Sequence, residues 1–342
     1  MSAIRKTALA ITTVMLLGSV TFLPRAVSAD RSSLEVLLDN RKVVNVVDDF
    51  LWFWEKARGK SPRTQRRLWF RMVENKHRDY FERAVYRNAA SDQRRLMLDL
   101  FLARVPDHVD AIREFNRVAG DRLTEAIIDF KSRFPEYRHR KNVYIGLSLF
   151  GFDGAVRPVR NDGGVPDTLC LAADVLCDYS GDELRIAMAH EFFHLYHFSF
   201  LFEQPAIAEF RGAHLPLMSE GMAVAGAEAV YPYQARELYL HVPDEELADQ
   251  RAQLATSSAR FLELIQSGAA AEDYELWFKN TGDDFVPDRG GYLLGYEAAK
   301  RVLSVYTLEQ MVRMTPSQLR EQAEEQLTVM SGARFIMLAS AR

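Results

Sequence analysis

The chain has 342 residues, of which 48% are hydrophobic and 26% charged, an ordinary globular balance that excludes extended disorder and leaves room for one large domain or two modest ones. Its formal net charge of −4 becomes about −7 once Arg5, Lys6 and Arg25 of the amino-terminal segment are set aside, which argues against a nucleic-acid partner.

That segment, 1–29, reads as an export signal. Arg5 and Lys6 are followed by an apolar stretch over 8–23, Pro24 breaks it, and Val27 and Ala29 are the small residues of a cleavage site before Asp30. Cleavage after Ala29 makes the mature protein periplasmic or secreted; retention makes the segment a membrane anchor. No other segment reads as a bilayer span. In such a compartment the two cysteines, Cys170 and Cys177, are expected to form a disulfide. They do not read as zinc ligands, because they lie seven apart and no second pair exists.

An amino-terminal helical region is expected over 30–105, with apolar clusters at 43–54 and 96–102 separated by charged turns and by Ser61-Pro62. It is basic: Arg63, Arg66, Arg67, Arg71, Lys76, Arg78, Arg83, Arg87, Arg94 and Arg95 fall in one stretch. This is either a set of solvated helix faces or a patch for an anionic envelope polymer. A second domain is expected over 106–342. It opens with an amphipathic helix over 109–134 that Pro135 closes. Val143, Ile145, Leu147 and Leu149 then alternate with Tyr144, Gly146, Ser148 and Phe150 in the two-residue period of a half-buried strand. Phe152-Asp153-Gly154 reads as a turn, 155–159 as a return strand and 169–172 as a further short strand. Ser180-Gly181-Asp182-Glu183 has the spacing of a capping box at a helix start. Later helices are expected from about Ser219 to Val230 and over 245–266, 293–306 and 316–330. The fold class is α+β, predominantly α, with a small sheet whose edge strand packs on the helix after Ser180.

That helix carries His190-Glu191-Phe192-Phe193-His194. Residues four apart lie about 40° around the helix axis, so both imidazoles face one point, while Glu191 is turned about 100° from His190 and reaches a water there without being a ligand. Ile186, Met188, Phe192, Phe193, Leu195 and Tyr196 make the helix apolar almost all round, so its polar trio needs buried partners. A zinc ion (Zn2+) supplies them; a hydrogen-bonded pair of core histidines is the alternative. Catalytic zinc keeps three protein ligands and one open position. Glu220, 26 residues beyond His194, is the expected third ligand, with His214 its rival. His197 lies on the same stripe but points along the helix.

The order of edge strand, His-Glu-x-x-His helix and Glu220-Gly221-Met222-Ala223 resembles the gluzincin zinc peptidases, distantly the thermolysin-like enzymes. More closely, it is similar to bacterial families of predicted zinc-dependent proteases with a Glu-Gly-x-Ala third-ligand segment. Gly291-Tyr292-Leu293-Leu294-Gly295-Tyr296 adds to the likeness, which covers roughly 109–327. It implies a zincin-like domain in which His190, His194 and Glu220 bind zinc and Glu191 is the general base. One departure is Val224, where thermolysin-like enzymes have an acid that holds a zinc histidine; a backbone carbonyl or Glu228 is left for that role.

The expected activity is hydrolysis of a peptide or protein substrate, with Tyr292 the first choice of oxyanion donor ahead of Tyr296, Arg289, His214 and His241. A substrate would add as a further strand beside 143–150. Two alternatives share the site: a catalytically inactive zinc-stabilised envelope binding or scaffold protein, and a zinc amidase acting on cell-wall peptide.

Overall fold

A computed structural model describes residues 31–159, 166–203, 212–279 and 286–332; the export signal expected over 1–29 lies outside the described residues. No helix among them is long and apolar enough to cross a membrane. The architecture is mostly helical with one small sheet.

The chain begins with α1 (Arg31–Leu37), a short strand β1 (Val43–Asn45), α2 (Val47–Ala57), α3 (Pro62–Trp69), α4 (Arg78–Tyr80) and α5 (Ser91–Arg104). Wide π turns follow α3 and α4 over Phe70–Glu74 and Phe81–Tyr86. Phe50, Phe53, Trp69, Phe81 and Phe101 gather into one aromatic core with ring centroids 5.4–6.4 Å apart, largely in the tilted and edge-on arrangements that the ring quadrupole favours. The region is nevertheless not all-helical. β1 runs parallel to β2 (Val143–Gly146), with Val43 beside Val143 and Asn45 beside Ile145. Tyr80 donates its hydroxyl to the Leu147 carbonyl at 3.2 Å and stacks on Tyr144. A Cβ on Gly146 would lie 2.6 Å from the Tyr80 ring. One apolar core therefore runs across the expected boundary at 105.

The long helix α6 (Val109–Arg133) precedes the sheet, whose order is β1-β2-β4-β3, with β3 (Gly154–Arg157) antiparallel to β4 (Thr168–Ala172) and the other neighbours parallel. The strand expected over 143–150 stops at Gly146, because the buried carboxylate of Asp174 accepts the amides of Ser148 at 2.8 Å and Phe150 at 2.6 Å. These bonds hold Leu149 and Phe150 at φ +58° and +60°, outside extended geometry. β2 is flanked on both sides, so it is not open to an added strand. β1 and β3 are the edges, and it is β3 that packs against the histidine-bearing helix.

After α7 (Ala173–Leu176), the capping box forms as expected: Ser180 Oγ accepts from the Glu183 amide and Glu183 Oε2 from the Ser180 amide. It starts α8 (Gly181–Leu201). Phe130 packs on Phe192, and Phe134 on Phe193 and Tyr196, which explains an apolar surface all round α8. The next helix, α9 (His214–Val230), begins a turn earlier than Ser219 because Pro216 is tolerated in a first helical turn. Then come α10 (Arg236–Leu240), α11 (Asp244–Ala252), α12 (Leu254–Ser267), α13 (Ala271–Glu275), α14 (Gly290–Val302), α15 (Leu308–Met311) and α16 (Pro316–Met330). The single helix expected over 245–266 is broken at Gln253.

The expected disulfide is absent: both cysteines are free. Cys170 lies in the middle of β4 with its thiol toward the Thr168 carbonyl, whereas Cys177 ends α7 with its thiol toward Asp178. The strand-to-helix turn between them sends the two side chains to different surroundings. Burial raises both thiols, Cys177 to about 12.

Candidate metal centre

Two helices meet at one point. α8 presents His190 and His194, and α9 presents Glu220. His190 Nε2 and His194 Nε2 are 3.0 Å apart, and Glu220 Oε2 lies 3.0 Å from the first and 3.2 Å from the second. Ligand atoms on a zinc tetrahedron with bonds of about 2.05 Å are about 3.3 Å from one another. These three atoms therefore have nearly the spacing of one tetrahedral face. Two nitrogens and a carboxylate oxygen are also the donor types that zinc takes.

Glu191 lies beside this triangle, offering an oxygen within 4.8 Å of both histidine nitrogens, while its Oε2 is buried with no hydrogen-bond partner among the described residues. Glu220 is thus the nearer acid and Glu191 the one in reserve. Burial pushes Glu191 up to about 8, opposed by His194 and reinforced by Asp153 and Glu220. Burial would also raise Glu220, but the His194 charge and the contacts from both imidazoles reverse that and hold the carboxylate far below its usual range. In His190 burial dominates and lowers the pKa; in His194 the Glu220 carboxylate outweighs burial and raises it. Two acids facing two imidazoles, the buried one with an oxygen that has no partner among the described residues, fit a cation at the shared point.

The approach of α9 depends on missing side chains. A Cβ on Gly221 would sit 2.0 Å from the Gly295 carbonyl oxygen, one on Gly295 2.2 Å from that of Leu217, and one on Gly226 2.1 Å from the Phe193 ring. The backbones of α9 and α14 therefore touch at Gly221 and Gly295. One turn earlier on α14, Tyr292 faces the site with its ring 6.2 Å from that of His190 and the Arg289 guanidinium 4.3 Å from its own ring centroid. Burial, then the Glu220 charge, raises the Tyr292 hydroxyl so far that it stays protonated at neutral pH.

The other residues singled out in the sequence lie elsewhere. His214, at the start of α9, is set beside Arg320 and Glu324 of α16, so it is not brought to the triangle. His197 is wholly buried, with neither nitrogen bonded among the described residues. His241 stacks on Tyr179. Glu228 Oε2 accepts from Tyr296 at 3.0 Å and Lys300 at 2.9 Å, and no hydrogen bond among the described residues joins Glu228 to either candidate ligand histidine. His194 Nδ1 has no hydrogen-bond partner among the described residues.

A cleft of about 730 Å³ opens over the triangle. One wall is β3, where Gly154 lies so close to Glu191 that a Cβ there would be 2.7 Å from the Glu191 Cγ. Asp153, bonded to the Tyr179 hydroxyl at 2.7 Å, and Arg157 belong to the same wall. The facing wall comes from the amino-terminal region through Arg83, Arg87 and Arg94. Sequence reading placed Asp153 and Gly154 in a plain turn and left these arginines undecided. The signal available was Arg157, a lone charge closing an otherwise uncharged return strand.

No family model matches this chain, and no curated protein or solved structure is significantly similar to it.

Proposed function

We propose that the protein is a zinc-dependent peptidase in which His190, His194 and Glu220 hold the ion. The observation that carries this reading is the triangle of donor atoms with edges of 3.0–3.2 Å, set at the floor of an open cleft with an unpartnered acid alongside. Bound zinc supplies a lowered pKa for water, toward about 7, and a polarised substrate carbonyl.

The chain's own residues do the rest. β3 is an edge strand whose backbone groups accept an extended peptide as a fifth strand, and Gly154, without a Cβ, lets Glu191 pack directly against that strand. Glu191 takes a proton from the attacking water and returns it to the leaving nitrogen, so it needs to start ionised. Burial opposes that form, and a neighbouring cation restores it. Tyr292 keeps its proton and donates toward the oxygen on which negative charge develops.

The test pairs metal analysis with turnover. The purified protein is expected to hold about one zinc per chain, Glu220→Ala to lose it and His214→Ala to keep it. Glu191→Gln is expected to retain zinc while peptide hydrolysis drops by at least about 100-fold. Equal metal content in Glu220→Ala, or undiminished turnover in Glu191→Gln, removes that residue from its role.

A further inference from the structure

The basic stretch of the amino-terminal region ends in the cleft. Several of its cations have acids of their own: Arg66 with Asp99, Lys76 with Asp49 and Arg78 with Glu82. Those that line the cleft do not. Arg83, Arg87 and Arg157 make no ion pair among the described residues. Arg157 decides the matter, because it is not a solvated surface charge. It is only partly exposed, its Nε is buried with no hydrogen-bond partner among the described residues, and its guanidinium lies 5.5 Å from the Phe152 ring. A guanidinium in that position needs an anion. Facing it, Arg87 is held at φ +50° and ψ −114°, a conformation that L residues avoid and that folds retain where a side chain must be aimed.

The chemistry of the anion follows from the opposite end of the cleft. Glu191, Glu220 and Asp153 make that end acidic, so a polyanion lying along the cleft would be repelled there. A single carboxylate avoids this conflict and matches the planar fork of an arginine. From Gly154, which touches Glu191, to Arg157 is three residues of strand, about 10 Å. We propose that Arg157, with Arg87 and Arg83, is a subsite for one carboxylate of the peptide substrate, two or three residues from the bond presented to Glu191. The carboxylate is that of an acidic side chain or of a free carboxyl terminus. The nature of that bond rests on the peptidase reading above; recognition of the carboxylate does not.

The experiment uses fluorogenic peptides that carry Asp, Glu or Asn at each position within four residues of the cleaved bond, each with a free or an amidated terminus. Turnover is measured on the zinc-supplemented protein, and binding of the same peptides by fluorescence anisotropy on Glu191→Gln. A carboxylate is expected to raise kcat/KM, and Arg157→Gln to shrink the acidic-to-neutral ratio about 10- to 100-fold, mainly through KM. Arg87→Gln, at an exposed position, shrinks it less and keeps the test readable if Arg157→Gln fails to fold. Loss of preference on amidation assigns the terminus; loss on Asn substitution assigns the side chain. Hydrolysis with no acidic preference overturns the subsite and leaves the peptidase. Acid-selective binding that Arg157→Gln abolishes, without hydrolysis by the unsubstituted protein, retains the subsite and overturns the peptidase. No preference in either measurement overturns the subsite.

Discussion

Replacing Gly295 by alanine tests the contact on which the site's geometry depends. The new Cβ would stand 2.2 Å from the Leu217 carbonyl oxygen, 3.0 Å from the Gly221 nitrogen and 3.1 Å from the Gly221 Cα. An unstrained carbon-to-oxygen contact is about 3.3 Å, so α14 must retreat from α9 by about 1 Å. All three obstructing atoms are backbone, so no side chain can swing aside. Overpacking of this kind costs about 1–3 kcal/mol, and a gap of that width forfeits a quarter to a half of each dispersion contact along the helix pair. Alanine's better helix propensity returns about 1 kcal/mol, leaving a net loss of roughly 2 kcal/mol.

The control is Gly120→Ala. Gly120 lies inside α6 with nothing within 4 Å of an added Cβ, so only the propensity gain of about 0.5–1 kcal/mol remains. Melting curves of the two variants in EDTA are expected to move in opposite directions, Gly295→Ala downward by roughly 3–6 °C. Affinity for the proposed zinc is expected to fall with it, since Glu220 adjoins Gly221, the residue against which α14 packs. If Gly295→Ala melts at or above the unsubstituted protein, as Gly120→Ala should, the two helices are not in backbone contact and the placement of Glu220 loses its explanation.

Burial lowers His139 to about 4 from 6.5, so the folded chain holds it neutral while the unfolded chain protonates it. Its contribution is complete above pH 6.5 and is lost as pH falls from 6.5 to 4, by about 3 kcal/mol in all. Urea unfolding of the metal-free protein at pH 7 and 4.5 is expected to show His139→Asn losing about 2 kcal/mol less than the unsubstituted chain; equal losses would show that the ring is protonated in the fold. The two thiols are expected to resist iodoacetamide at pH 8 in the native state and to take two labels in urea without reductant. A mature chain that takes none under those conditions carries the Cys170–Cys177 disulfide after all.

What was legible in the sequence followed from short-range geometry. The Ser180 and Glu183 spacing fixed the start of α8, and helical spacing alone placed His190 and His194 on one face. Glu220 required a longer step, past Glu203, Glu209 and the rival His214. What stayed hidden were contacts between segments far apart in sequence. Nothing local to 143–150 reveals that Asp174, 24 residues beyond Phe150, takes the amides that would have continued the strand. Likewise a three-residue strand at Val43 has no periodicity to read, so the amino-terminal region looked helical and separate. The cysteine pair misled for a related reason: closeness in sequence says little when a strand end and a helix intervene.

The same hidden contacts tie the amino-terminal region to the site. β1 extends the sheet on the side away from β3, and Tyr80 fills the space above Gly146. From this anchored base the π turn at Phe81–Tyr86 and the strained Arg87 carry their charges across to the cleft opposite β3. If the region were only a loosely attached appendage, its cations would be satisfied by its own acids, as Arg66 and Lys76 are. Arg83 and Arg87, which line the cleft, have no acid of their own among the described residues. Residues on both sides of 105 therefore line one cleft, since β3 alone would supply Arg157 and the wall beside the candidate metal ligands while lacking the second wall.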